Sequence, residues 1–185
     1  MQKEIIISGF GGQGVLFAGQ VIAYAAMDSG MEVTWIPSYG PEMRGGTANC
    51  TVVIADHEIG SPLVKNPPLV IALNLPSYDK YEPMMQAGGT LVVNQSMVDR
   101  GAKRADINSV FVSANEIAEQ IGDKKLTNMV AVGALLAALP EVTVEALEAA
   151  LKAHLPARHQ HLLPKNYEAL HRGFESAKQQ LAVAA

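Results

Sequence analysis

Gly9, Gly11 and Gly14 stand at the three glycine positions of a G-x-G-x-x-G spacing, within Ser8-Gly9-Phe10-Gly11-Gly12-Gln13-Gly14. The run Ile5-Ile6-Ile7 precedes them, and an apolar-periodic stretch beginning Val15-Leu16 follows. That order predicts a strand, a glycine turn and a helix. A helix start offers free backbone N–H groups and the positive end of a dipole, which suits a phosphate. Glycine lets that backbone come close to a ligand with no Cβ between. A nicotinamide dinucleotide would also need an acidic residue at the end of the second strand to hold the ribose hydroxyls. Here Val33-Thr34-Trp35-Ile36 runs into Pro37-Ser38, Glu32 lies at the strand's other end, and no arginine stands there for a 2′-phosphate. The turn then leaves four readings open: close strand–helix packing, as in a non-catalytic interaction module; another phosphate-bearing ligand; a cofactor brought by a partner; or, least favoured, a stand-alone NAD-linked protein that lacks the confirming acid.

A second constellation is Pro37-Ser38-Tyr39-Gly40-Pro41-Glu42-Met43-Arg44-Gly45-Gly46-Thr47. It follows the carboxyl end of the second strand, where open parallel sheets place their ligands. Arg44 is the cation of the segment, and guanidinium grips carboxylate or phosphate through paired hydrogen bonds. Gly45-Gly46 permits unusual backbone angles beside it. Other candidates carry less. His159-x-His161 has no Asp, Glu or Cys at metal-ligand spacing and reads as loop histidines. Arg158, His159, His161 and Lys165 together can attract an anion. Thr127 or Asn128 can cap the helix that starts there. Cys50 falls on the apolar face of a strand, as inert packing.

The elements that must position these residues follow from periodicity. Strands are predicted over 3–8, 32–36, 47–54, 69–73, 89–94 and 110–113. The third alternates, with Ala48, Cys50, Val52 and Ile54 on one face, as a half-buried strand does. The run 69–73 suits a parallel strand buried on both faces. Helices are expected from 12 to 29, closed by Gly30, and over 77–86, 114–121 and 128–139. Thr143 caps another that stops before Pro156, and a last one near 165–181 carries Tyr167, Leu170, Phe174, Ala177 and Leu181 on one stripe. The first two strands and their helix form a β-α-β unit, and the segment 37–46 is a loop. The fold class is α/β: one Rossmann-like, doubly wound domain spanning 1–185, with a mainly parallel sheet and a helical C-terminal segment.

Composition narrows the function classes. Charged residues make up 17% of the 185, against a usual figure of about 25%. With 8 methionines, this points to a surface that a partner covers, or to a compact core that needs little charge. A net charge of -4 with no basic block argues against nucleic-acid binding. One cysteine cannot build a disulfide within the chain, a cysteine-rich zinc site or a cysteine-ligated iron–sulfur cluster. No segment has the length of a membrane span and no signal peptide leads the sequence, so the expected location is cytoplasmic.

Gly9-Phe10-Gly11-Gly12-Gln13-Gly14 followed by Tyr39-Gly40-Pro41-Glu42-Met43-Arg44-Gly45-Gly46 resembles the gamma subunit of 2-oxoacid:ferredoxin oxidoreductases, above all the 2-oxoglutarate branch. The likeness continues through Ile59-Gly60-Ser61-Pro62, Ala72-Leu73-Asn74 and Asn128-Met129-Val130-Ala131-Val132-Gly133. It implies one subunit of a larger enzyme that oxidatively decarboxylates a 2-oxoacid, reduces ferredoxin and delivers the acyl group to coenzyme A. Thiamine diphosphate and iron–sulfur clusters would sit on alpha, beta and possibly delta (ferredoxin-like) subunits, which agrees with the absent G-D-G thiamine signature and the lone cysteine. This chain would hold no cofactor alone, and coenzyme A would be a cosubstrate of the complex. The residues carried over are Gly9, Gly11, Gly12, Gln13, Gly14 and Arg44 for coenzyme A. Ser38, Tyr39, Glu42, Gly45 and Gly46 would face the partners and the active site. Isolated, such a chain could pair with a second copy through the surface its partners cover.

Overall fold

The computed structural model describes residues 1–39 and 47–184. Glu42, Arg44, Gly45 and Gly46 lie outside the described residues. Six strands form one sheet in the order β2-β3-β1-β4-β5-β6. β1 (Gln2–Phe10), β4 (Leu69–Ala72), β5 (Thr90–Asn94) and β6 (Asn108–Val112) run parallel. β2 (Glu32–Tyr39) and β3 (Thr47–Ala55) are antiparallel to one another, and β3 is antiparallel to β1. The mainly parallel α/β sheet expected from the sequence is borne out.

β1 and β2, both antiparallel to β3, run parallel to each other as the expected β-α-β unit requires, and β3 lies between them in the sheet. Two strands close in sequence pair as a hairpin, while a parallel return needs a longer crossover. β3 also needs cover on both faces. Its first half alternates as a half-buried strand should, but Val52, Val53, Ile54 and Ala55 are all fully buried. β2 takes the edge instead and runs through Pro37 and Ser38 to Tyr39, beyond the expected end at Ile36. An edge strand tolerates a proline that a central one would not.

The two faces are covered unequally. Ile5, Ile7, Val52, Ile71 and Val92 point to the side of α1 (Val15–Asp28), α3 (Ala114–Ile121), α4 (Thr127–Leu136), α5 (Val144–His154) and α6 (Leu163–Ala184). On the other side Tyr78 and Tyr81 of α2 (Leu75–Tyr81), with Met85, Val98 and Ile107, cover Ile6, Val70 and Leu91. Thr143 caps α5 as expected, accepting from the Ala146 amide at 3.1 Å. Gly30, at φ 82°, follows the C-cap of α1 in the left-handed conformation that favours glycine.

α4 is buried from Asn128 to Leu136, and a helix apolar all round belongs in a protein's interior. It crosses α6 at two glycines. A Cβ on Gly133 would lie 2.0 Å from the Leu170 carbonyl oxygen, and one on Gly173 would lie 1.9 Å from that of Val130. Both obstacles are backbone, so the helices must part to admit a methyl group. Cys50 shows a milder form of the same tightness: a Cβ on Gly19 of α1 would lie 2.4 Å from its Sγ. Burial pushes the Cys50 thiol up to about 12.

Gly173→Ala should cost about 3 kcal/mol in urea denaturation, the upper range for overpacking. Gly60→Ala, with nothing within 4 Å of the new atom, should leave the midpoint unchanged. Equal stability of the two variants would show that α4 and α6 separate freely. Stability should also fall as pH rises above about 9, because the unfolded thiol ionises there while the native one keeps its proton. The thiol's share, on the order of 1 kcal/mol per pH unit, is the difference in slope between the wild type and Cys50→Ala.

Candidate functional site

β1 delivers the chain into the glycine turn at the carboxyl end of the sheet, and each element of that turn has its own task. Gly9 is buried, and an added Cβ would lie 3.0 Å from Val15 Cγ2 and 3.1 Å from Leu73 Cβ. Its part is close packing between strands and helix. Gly12 and Gly14 have φ of 97° and 73°, the left-handed region where side chains are strained. Around Gly12 there is open space within 4 Å, whereas a Cβ on Gly14 would meet Asn128 Nδ2 at 2.3 Å. Gly11 lies in the turn, partly exposed. α1 starts only at Val15, later than the expected position 12. No side chain caps α1 and no acid stands in its first turn, so its first amides face the turn without a competing carboxylate.

Gln13 folds back onto the turn. Its Oε1 accepts from the Phe10 amide at 2.6 Å and from Asn74 Nδ2 at 3.3 Å, and its Nε2 donates to the Leu73 carbonyl at 3.4 Å. The Gln13 amide donates to the Phe10 carbonyl at 3.1 Å, so the pair is reciprocal. The residue that the sequence offered as a ligand contact therefore spends its carbonyl oxygen on shaping the turn.

Around it stands a set of side-chain amides at the strand ends. Asn74 caps α2 through Ser77, whose hydroxyl meets that of Ser8 at 2.9 Å. Asn94, at the end of β5, donates to the Leu73 carbonyl at 3.2 Å and to Asn115 Oδ1 at 3.1 Å. Asn128 is not the helix cap that its position suggested. Leu126 occupies the cap position of α4, and Asn128 Nδ2 instead donates to the Gly14 carbonyl at 3.1 Å. Asn94 and Asn115 escaped sequence reasoning. The available signal was an asparagine directly after an apolar strand run, as in Val93-Asn94, at the end where ligands bind.

Facing the turn is a cleft of about 240 Å³ between Gly12 and Gln13 on one wall and Asn115, Thr127, Lys124 and Lys125 on the other. Glu119 also lines it and pairs with Lys124 at 2.9 Å. Lys125 has no carboxylate partner among the described residues. Asp123 bonds the Lys125 amide at 3.0 Å and so fixes a 3-10 turn over Lys124–Leu126. Sequence reasoning missed these two cations. The cleft combines the glycine turn, side-chain donors and positive charge, and it suits a phosphate or diphosphate.

The second sequence constellation reaches the same end of the sheet. Tyr39 pairs with Ala48, which pairs with Gly9 on its other side, so the root of the 40–46 segment is two strands from the glycine turn, roughly 10 Å. Ser38 is exposed on β2, opposite Asn49. Among the described residues no group of three His, Cys, Asp or Glu converges as metal ligands, and His159 instead borders a groove beside α1. Removing the Gln13 side chain in Gln13→Ala should cost about 1–2 kcal/mol and speed hydrogen exchange at the Phe10 amide, as read by NMR. An unchanged exchange rate would show the turn to be held by its glycines alone.

The pyruvate ferredoxin/flavodoxin oxidoreductase family matches residues 4–176. The 2-oxoglutarate synthase subunit KorC of Methanothermobacter marburgensis is 39% identical over 163 residues, covering 84% of this chain and 88% of that subunit. The ketoisovalerate oxidoreductase subunit VorA of the same organism is 38% identical over 136 residues, which is 74% of this chain. The chain spans under a third of VorA's length, since the match covers 28% of it. Among solved structures, the gamma subunit of keto/oxoacid ferredoxin oxidoreductase from Geobacter sulfurreducens superposes with a TM-score of 0.82 at 30% identity, over 96% of this chain and 97% of that one. The 2-oxoglutarate:ferredoxin oxidoreductase from Magnetococcus marinus, solved with 2-oxoglutarate, coenzyme A and succinyl-CoA bound, shares the fold at a TM-score of 0.85 and 23% identity, over 96% of this chain and 31% of that one. The resemblance read from the two glycine-rich motifs is thus borne out, and the chain belongs to the pyruvate ferredoxin/flavodoxin oxidoreductase family.

Proposed function

We propose that this chain is the gamma subunit of a multi-subunit 2-oxoacid:ferredoxin oxidoreductase, with 2-oxoglutarate as the 2-oxoacid, and that it contributes to coenzyme A binding and to assembly. The observation that carries the coenzyme A part is a cleft with the glycine turn's Gly12 and Gln13 on one wall and Lys124 and Lys125 on the other. Coenzyme A supplies the thiol that takes up the acyl group. Its diphosphate needs N–H donors and cations, and the turn from Gly11 to Gly14 with Lys125 offers both. Arg44 is the further cation that the sequence offers for this contact. Gln13, Asn74 and Asn128 keep the backbone in place for this contact. The choice of 2-oxoglutarate is supported by the KorC relative, which the chain matches over most of both lengths.

Decarboxylation and electron transfer belong to the alpha, beta and delta-type partners, which carry the thiamine diphosphate and iron–sulfur clusters, and ferredoxin accepts the electrons. The single cysteine of this chain is buried, which leaves it unsuited to holding a cluster. Contacts with those partners are assigned to Ser38, Tyr39, Glu42, Gly45 and Gly46. Exposed apolar side chains, Leu63 at 81% and Met27 at 50%, fit a surface covered on assembly. Among the described residues no helix is long and apolar enough to cross a membrane, and a cytoplasmic setting suits a protein whose one thiol needs no disulfide partner.

The tagged chain should co-purify from its native extract with a thiamine-binding and an iron–sulfur subunit, and the assembled enzyme should reduce ferredoxin with 2-oxoglutarate and coenzyme A. In that enzyme Lys125→Ala and Arg44→Ala should each raise the KM for coenzyme A roughly tenfold, as for one lost charge-assisted bond, with the KM for 2-oxoglutarate unchanged. A coenzyme A KM that neither substitution moves would remove this chain from coenzyme A binding.

A further inference from the structure

The two edges of the sheet are finished differently. At β6 the Gln180 side chain, from α6, donates to the Phe111 carbonyl at 2.7 Å and accepts from the Phe111 amide at 3.0 Å. A side-chain amide thus stands where a further strand would bond. β2, at the opposite edge, has no such guard among the described residues. It is 8 residues long, carries no lysine or arginine, and has Glu32 as its single charge. A long edge strand without these safeguards is a template for pairing with another chain.

The bonding pattern across the sheet fixes which backbone groups β2 leaves free. The Leu73 amide donates to the Ser8 carbonyl at 2.9 Å, so Ser8 turns its backbone groups to β4, and Ile7 and Gly9 turn theirs to β3. Their partners Cys50 and Ala48 bond back toward β1, which directs Asn49, Thr51 and Val53 toward β2. Opposite those three stand Ser38, Ile36 and Thr34. Val33, Trp35 and Pro37 therefore point their backbone groups outward. Pro37 has no N–H to offer there, which is why the edge accepts it. Among the described residues nothing takes the Val33 or the Trp35 amide. Thr34 Oγ1 is shielded from solvent without a partner, and Ile36, on the same face of the strand, is 40% exposed.

Independently of the coenzyme A reading, we propose that β2 pairs antiparallel with β2 of a second copy of this chain, on a two-fold axis through Thr34. In that register Val33 of one copy and Trp35 of the other exchange both backbone bonds, on each side of the axis. Pro37 falls opposite Met31, whose amide is already spent on the Ala26 carbonyl at 3.1 Å, so the proline wastes no donor. Glu32 faces Ile36 rather than the second Glu32, so no like charges meet and part of the exposed isoleucine is covered. The two Thr34 side chains meet at a non-hydrogen-bonded position, the closer kind of cross-strand pair, where threonine hydroxyls bond one another. A two-fold through Trp35 or Ile36 would instead set Val33 or Trp35 against Pro37 and leave a carbonyl without its donor.

Sedimentation velocity of the full chain should give the mass of two chains at high concentration and of one on dilution. Thr34→Lys and Thr34→Glu each set like charges on the axis and should sediment as single chains with unchanged circular dichroism. Mixing them should restore a pair containing one of each. With oxidised glutathione, Thr34→Cys should become a covalent dimer, because residues facing each other at a non-hydrogen-bonded position lie about 4.5 Å apart at Cα, within disulfide reach. Ile36→Cys, which faces Glu32, should stay single, and Cys50 is buried and takes no part. The cysteine pair decides the register even where a charge at position 34 unfolds the chain. A wild type that is single at every concentration, a dimer that survives both charges at position 34, or equal cross-linking of the two cysteine variants would overturn the pairing.

Discussion

Gln13 bonds the Phe10 amide, Asn74 and the Leu73 carbonyl, and through those bonds β1, the glycine turn and the end of β4 are locked together. A turn of consecutive glycines has many accessible backbone states, and ordering it costs more entropy than ordering other residues. One internally bonded side chain removes much of that freedom before a ligand arrives. The resulting arrangement leaves the first amides of α1 uncapped, which is tolerable only at an end open to solvent or to an anion. Shape at this end of the sheet comes from side-chain amides, and charge comes from lysines on a separate turn.

The glycines themselves divide between two tasks. Gly9, Gly133 and Gly173 work by the absence of a side chain at close contacts, whereas Gly12 and Gly14 work through their backbone angles. The helices on one face of the sheet surround α4, apolar from Met129 to Leu136, so they form a backing against which the turn over Lys124–Leu126 is set. On the opposite face α2 is a lighter cover, held by Asn74 and the paired hydroxyls of Ser8 and Ser77.

The glycine turn, the parallel core and most helices were legible because each rests on a local pattern: an apolar run, a glycine spacing, or a capping threonine such as Thr143. The place of β3 was not, since alternation in Thr47 to Cys50 suggests an exposed face and only the tertiary neighbours reveal that Val53 and Ala55 are covered as well. Pro37 looked like the start of a loop because its tolerance in a strand depends on the strand being an edge. At the candidate site, glycine spacing placed the turn at the carboxyl end of β1, where the structure has it. It could not tell that Gln13 is spent internally, or that Lys125 comes to the turn from more than a hundred residues away. Asn128 was read as a local cap for the same reason: its partner, Gly14, is distant in sequence.

The bond from Asn128 to Gly14 joins positions 114 apart in the chain. Contacts of that span close late, after the loop entropy between them has been lost. The strands and the first helix can assemble from earlier parts of the polypeptide, but the anion-facing turn gains its final support only once α4 has been made and inserted. A ribosome-bound fragment ending before α4 would thus present an unfinished pocket.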